Sequence, residues 1–164
     1  VVISPKSLLR HKQAVSSLED LTSGTFQTVL GEIDALDPKK VKRVVFCQGK
    51  IYYELLAYRR ENGIQDTALV RIEQLYPFPE KAAKEALDTF PRAKEIVWCQ
   101  EEPRNQGAWY WLASRQHLSR TLGPKRKLSL VSRASAASPA VGYFAKHSLQ
   151  QKKIIENAFG PLED

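Results

Sequence analysis

The chain has 164 residues, 43% of them hydrophobic and 26% charged, with a formal net charge of +7. That composition suits one soluble domain with a full core and leaves no room for a second catalytic domain. No apolar run reaches the roughly 18 residues that a membrane span needs, and no charged-then-apolar signal opens the chain, so a cytoplasmic setting is the simplest expectation.

The chain contains no methionine and opens abruptly on Val-Val-Ile-Ser-Pro, which suggests a piece of a longer polypeptide. Residues 1–42 read as an irregular arm from a preceding domain. Ser, Thr, Gly, Asp and Pro are interspersed there, and no apolar period lasts long enough for a long helix. Its apolar positions, Leu8, Leu9, Leu18 and Leu21, are expected to pack elsewhere in a longer chain. Pro38 and the run KKVKR close the arm.

A domain is expected over 43–164. RVVFCQ (43–48) is a continuous apolar run bounded by charge and Gly49, the pattern of a strand covered on both faces. A helix is predicted over 50–61, where Ile51, Leu55, Leu56 and Tyr58 recur at helical spacing and Gly63 follows. TALVRI (67–72) is a second strand, and Pro77 and Pro79 stop it and open a helix over 80–89. EIVWC (95–99) is a third strand, followed by a helix over 105–120. The last elements are a strand at 128–131, the small-residue stretch SRASAASPAVG, and a helix over 145–158. This alternation predicts an α/β fold, a mostly parallel sheet with helices on both faces.

In such sheets functional groups gather outside the carboxyl ends of the strands. Those ends supply Gln48-Gly49-Lys50, Glu73-Gln74, Gln100-Glu101-Glu102 and Ser132-Arg133. The passage QEEPRNQGAWYWL (100–112) belongs to that edge. Adjacent residues on a strand point to opposite sides, so Glu101 and Glu102 read as capping or interface groups rather than an acid/base pair. Asn105 and Gln106 can donate and accept beside them, and Trp109, Tyr110 and Trp111 supply packing area.

Several chemistries lack their motifs. No two glycines lie closer than seven residues apart, which excludes GxGxxG and a Walker phosphate loop. GxSxG is absent, and His11, His117 and His147 have no local motif pairing them with a nucleophile, so each reads as exposed or structurally satisfied. Cys47 and Cys99 lie in apolar runs and read as buried free thiols, and no CxxC or HxxxH supports a metal site.

The charge is unevenly placed. Between Pro103 and Ile155 there is no acid, while Arg104, Arg115, Arg120, Lys125, Arg126, Lys127, Arg133, Lys146, Lys152 and Lys153 are all basic. The rest of the chain carries 15 basic and 18 acidic residues, a net of −3. A segment of this kind attracts anionic partners. It reads as a solvated basic face, as an interface, or as an organised anion site around Arg133, where Ser135 and small neighbours would let a ligand approach.

PKSLLRH (5–11), QGKIYYELL (48–56), RIEQLYPFP (71–79), WCQEEPRNQGAWY (98–110) and ASAASPAVGY (134–143) together resemble, in order, the C-terminal region of the 2-oxoglutarate dehydrogenase first component. The resemblance covers nearly the whole chain. It implies a transketolase-type C-terminal domain of a homodimeric enzyme that uses thiamine diphosphate and magnesium. That enzyme decarboxylates 2-oxoglutarate and passes the succinyl group to a lipoyl group on the succinyltransferase component of a multienzyme complex of the citric acid cycle. The thiamine-binding signatures GDG and NN are absent here, so this fragment is expected to hold no catalytic residue, no cofactor and no metal, and to be inactive alone. Its expected partners are the remaining domains, the second subunit, the lipoyl succinyltransferase and an acyl-CoA or nucleotide effector; nucleic acid is the weaker reading. The candidates for anion, effector or interdomain contact are Lys50, Arg104, Asn105, Gln106, Arg133 and Ser135, with Glu101, Glu102 and Trp109 for interfaces. Relatives tend to read Gly-Arg-Pro-Ala-Ser-Ala-Ser-Pro where this chain has Ser132-Arg133-Ala134-Ser135-Ala136-Ala137-Ser138-Pro139, and losing the Gly and the first Pro alters backbone freedom around Arg133. An independent anion-binding or interaction module built on the basic half is the alternative.

Overall fold

The computed structural model describes residues 1, 4–114, 117–124 and 126–162; Arg115 and Lys125 of the basic half lie outside the described residues. Five strands form one sheet: β1 (Val29–Leu30), β2 (Arg43–Cys47), β3 (Thr67–Ile72), β4 (Glu95–Pro103) and β5 (Lys127–Arg133). Their spatial order is β1-β3-β2-β4-β5. The β2–β3, β2–β4 and β4–β5 pairs are parallel, and β1 runs antiparallel to β3 with Val29 opposite Ile72 and Leu30 opposite Arg71.

Parallel strands covered on both faces are mostly apolar, and β2 is buried at all five positions, Val44 to Cys47 as apolar residues and Arg43 as a cation bonded to Glu95 and Ala158 O. Alternate residues serve two separate cores. Val44, Phe46, Val70, Ile96 and Trp98 face α3 (Glu80–Asp88), α4 (Trp109–Ser114) and α5 (His117–Leu122), through Leu87, Leu112 and Leu118. Val45, Cys47, Leu69, Val97 and Val131 face α2 (Ile51–Glu61) and α6 (Phe144–Phe159), through Leu55, Leu56 and Ile154. Each fully buried aliphatic side chain contributes roughly 1.5–3 kcal/mol of transfer free energy, so the α/β layering predicted from the sequence follows from where these residues fall.

Three expectations change. The arm is less irregular than its composition implies. It holds α1 (Leu18–Thr22), whose Ser17 accepts from Asp20 N while Asp20 accepts from Ser17 N, a capping box. It also supplies the edge strand β1. Strand β4 runs on to Pro103 rather than stopping at Cys99, with a bulge between Cys99 and Pro103. The helix expected over 105–120 starts later, at Trp109, because residues 105–108 turn instead of coiling; α4 and α5 lie on either side of residues 115–116, which are outside the described residues. Gly107 sits in the left-handed region at φ 68° and Gln106 N bonds to Pro103 O at 2.8 Å.

The apolar arm positions Leu9, Leu18 and Leu21 are 76%, 81% and 73% exposed, so no described residue covers them. The arm is instead held through its acids. Glu32 forms an ion pair with the 1%-exposed Arg59 side chain and accepts from Leu69 N at 2.8 Å, and Asp34 bonds both Arg59 and Arg60. No helix among the described residues is long and apolar enough to cross a membrane.

Candidate functional site at the carboxyl edge of the sheet

The connection leaving β2 runs through α2 to β3 on one side, and the connection leaving β4 runs through α4 and α5 to β5 on the other. The chain therefore parts between the carboxyl ends of β2 and β4, where open α/β sheets place their ligand crevice. Left-handed Gly49, at φ 67°, turns the chain out of β2 and sets Lys50 at the start of α2. From across the crevice Glu101 of β4 meets it.

Side chains fill this crevice. Lys50 Nζ forms ion pairs with Glu101 and, at 2.9 Å, with Glu54 one helical turn away. Gln151 of α6 donates to Glu54 at 3.0 Å and to Glu101 at 2.9 Å. Arg133 donates to the Glu101 carbonyl and to Gln151 Oε1 at 2.6 Å, with His147 Nδ1 at 3.5 Å. Two cations face two carboxylates, so the cluster is balanced. Burial alone would push the Lys50 ammonium down, but the bonds to Glu101 and Glu54 outweigh it and raise its pKa above the ordinary lysine value. A lysine held in its charged form is a poor base and a poor nucleophile. The cluster also walls a cavity of about 450 Å³, which Lys50, Glu54 and Gln151 line together with Tyr58, Phe144 and Ile155.

The sequence candidates separate into groups. Lys50, Glu101 and Arg133 meet in the cluster. Asn105 and Gln106 work at the next layer: Asn105 Nδ2 donates to Ala136 O at 2.9 Å while Ala136 N donates to Asn105 Oδ1 at 3.0 Å, and Gln106 donates to Ala136 O and Ser138 O. These bonds fasten the loop after β5 to the loop after β4. Arg104, Glu102 and Ser135 are exposed and stay outside the cluster, and Trp109 is half-buried against the α3-side core.

Sequence reasoning missed Glu54 and Gln151, and placed Gln100 at the strand edge without a role. The Lys50–Glu54 spacing of four was a usable signal on a predicted helix. Gln151 gave none. Gln100, 2% exposed, is the hub of QEEPRNQG. Its Oε1 accepts from the Trp98 indole at 2.9 Å and from Trp109 N at 3.1 Å, and its Nε2 donates to Gln106 O at 2.8 Å and Pro103 O at 3.2 Å. The passage is thus a bonded junction between strand, turn and helix.

Other reactive groups are structurally committed. Cys47 and Cys99 are buried free thiols; burial pushes Cys47 up to about 12 and Cys99 well above its ordinary value. His117 is 3.1 Å from Glu80 and lies tilted against the Trp111 ring at 4.5 Å, and His11 lies 4.9 Å from the Tyr53 ring. Among the described residues no three His, Cys, Asp or Glu side chains converge to hold a metal ion. The two carboxylates of the crevice, Glu54 and Glu101, are taken by Lys50 and Gln151, so these residues do not fit a magnesium and diphosphate site.

The family model for the 2-oxoglutarate dehydrogenase C-terminal region matches residues 15–159. The chain is 56% identical over 158 residues to a 2-oxoglutarate dehydrogenase E1 component of Haemophilus influenzae, covering 96% of this chain and 17% of that protein. It is 51% identical to the protein of the same name from Azotobacter vinelandii, covering 97% of this chain and 17% of that one. An oxoglutarate dehydrogenase of Buchnera aphidicola is 49% identical, again over 96% of this chain and 17% of its own length. The chain thus spans about a sixth of the curated relatives it matches. Among solved structures, a split-gene transketolase in an inactive β4 tetramer superposes with a TM-score of 0.51 at 14% identity, covering 74% of this chain and 39% of that one. That likeness concerns the fold.

Proposed function

The chain belongs to the 2-oxoglutarate dehydrogenase C-terminal family, and from that premise we propose that it is the non-catalytic C-terminal domain of an E1 component. The parent would be a cytoplasmic homodimer, decarboxylating 2-oxoglutarate oxidatively and passing the succinyl group to the lipoyl group of its partner acyltransferase in the citric acid cycle. Thiamine diphosphate and magnesium would be held by the remaining domains, since the edge residues here do not fit them. In this reading residues 1–42 lead in from the preceding domain and 43–164 form the C-terminal unit.

One observation carries the non-catalytic role. The crevice where this fold would take a substrate is filled by the Lys50, Glu54, Glu101, Gln151 and Arg133 cluster, whose charges are already matched. Bonds of that kind hold loops in place for neighbouring domains to rest on. Exposed Glu102, the half-buried Trp109 and the bare apolar arm are the surfaces offered to them. The test is dye-coupled oxidation of 2-oxoglutarate by the purified chain beside its full-length parent. Turnover is expected from the parent alone, and turnover by the isolated chain would overturn the assignment.

The acid-free stretch from Arg104 to Ile155 favours one second reading, a contact for an acyl-CoA or nucleotide effector. Arg133 spends its terminal nitrogens inside the domain, so Arg104 and Ser135 would make that contact. Effector titration of the parent, followed by activity, tests it: activation lost in Arg104→Ala supports the contact, and unchanged activation removes it.

A further inference from the structure

Strand β5 pairs with β4 alone, so among the described residues its outer edge is open. A groove of about 620 Å³ is lined by that edge from Lys127 to Ala134 and by residues of α6, with Trp109 and Leu162 also in its lining. Two polar atoms in its walls are buried and have no hydrogen-bond partner: Arg133 Nε, a donor, and Gln150 Oε1, an acceptor. The remaining Arg133 nitrogens are engaged by Glu101, Gln151 and His147. Exposed Arg104 and Lys153 also line the groove, and among the described residues no acid does.

We propose that this groove docks an extended acidic segment of a separate polypeptide, which adds to the sheet as a strand beside β5. An open edge offers unpaired N–H and C=O groups at the repeat of another strand. Both atoms are buried while the groove is empty; once the Arg133 and Gln150 side chains turn toward it, a peptide would answer both, with a carbonyl or carboxylate for Arg133 Nε and an N–H for Gln150 Oε1. A simple oxyanion would answer the first and leave the second unmet. The side chains of the incoming strand alternate between faces. One set would lie beside Leu128 and Leu130, which are half-buried on the α3 side, and the other toward α6 with Lys153 and Arg133. The fitting sequence therefore alternates apolar and acidic residues. A second copy is the poorer occupant, because pairing two such edges would bring Arg104, Arg133 and Lys153 against their own kind.

The experiment titrates this chain with a fluorescein-labelled alternating Glu-Val peptide, read by anisotropy at physiological salt. Saturable binding is expected, with none for an alternating Lys-Val peptide. The charge-reversed pair Arg104→Glu with Lys153→Glu should weaken it by about tenfold or more. Methylating alternate backbone nitrogens of the peptide, which leaves the protein untouched, should abolish it. Equal binding of the methylated peptide, or indifference to the charge reversal, would overturn the proposal in favour of unspecific attraction. Displacement by equimolar inorganic phosphate would reassign the groove to a small anion. A concentration-dependent dimer that excludes the peptide would give the edge to a second copy. Binding by this chain but not by its full-length parent would overturn the proposal too, since another part of the parent would then cover the edge.

Discussion

Arg59 and Glu32 form a salt bridge whose side chains are 1% and 7% exposed, and it ties the arm to the sheet. Glu32 accepts from both terminal nitrogens of Arg59 and from three backbone amides, those of Ile33, Asp34 and Leu69. Arg59 in turn donates to Thr67 O at the start of β3. Removing one partner of such a pair strands a buried charge, which costs about 3–5 kcal/mol. Asp34 remains as a second partner, so Glu32→Gln should lose about 3 kcal/mol, the lower end. Urea unfolding checks the loss, and proteolysis should cut ahead of residue 43 sooner in the variant. A loss within experimental error would mean that the arm is not held by this pair.

Asp34 makes the same anchor sensitive to acid. Hydrogen bonding from Arg60, reinforced by Arg59 against the opposing effect of burial, lowers its carboxyl from 3.8 to about 2. The folded pKa lies below the unfolded one, so the stabilisation is complete above the unfolded value and is lost as pH falls from about 4 toward 2. Screening at a side chain 28% exposed keeps the contribution to about 1–2 kcal/mol. Unfolding free energies measured between those pH values should fall more steeply for the unmodified chain than for Asp34→Asn. Parallel curves would count against the anchor.

The legible parts of this molecule were those where one residue type repeats at one spacing. β2 and β3 read directly as continuous apolar runs, and both span the expected region. β1 did not, because Val29 and Leu30 are too few to show alternation and their pairing with Ile72 and Arg71 is a long-range matter; the same holds for the acids that follow them, whose partner Arg59 is 27 residues from Glu32. The start of α4 was misjudged for a related reason. Its first amide, Trp109 N, is met by Gln100 Oε1 from within β4, a cap nine residues away that no local pattern announces. At the site, Lys50 and Arg133 were singled out from their place at strand ends, and Glu54 could have been from its spacing. Gln151 could not, since it reaches the cluster from α6, 50 residues beyond Glu101.

Gly107 separates two costs that usually come together. A Cβ there would meet Gln100 Nε2 and Oε1 at 3.0 Å, at a φ of 68°. Gln100 cannot swing aside without breaking its bonds to Trp98, Trp109, Pro103 and Gln106. Gly49 has nearly the same φ, 67°, with nothing within 4 Å of the added carbon. Gly49→Ala should therefore cost about 1 kcal/mol from backbone conformation alone, and Gly107→Ala about 2–3 kcal/mol with crowding added. Thermal unfolding of the two variants measures the difference. Equal losses would show that Gln100 yields freely and is not the hub of the junction.

The Lys50–Glu101 pair closes the crevice between β2 and β4, and its worth can be isolated by a double-mutant cycle. Lys50→Met leaves Glu54 and Glu101 facing each other without their shared cation, and Glu101→Gln leaves Lys50 with Glu54 alone. With side chains 27% and 21% exposed, the pair is shielded enough for a coupling of about 1–2 kcal/mol, above the surface range. The raised Lys50 pKa fixes the pH dependence: the folded value lies above the unfolded one, so the stabilisation is complete below the ordinary lysine pKa and fades as pH rises through the folded value. Cycles run in urea at neutral pH and again in strong alkali should show the coupling in the first and its loss in the second. A coupling near zero at neutral pH would mean that the crevice is held shut by packing, and that the cluster is free to open for a ligand.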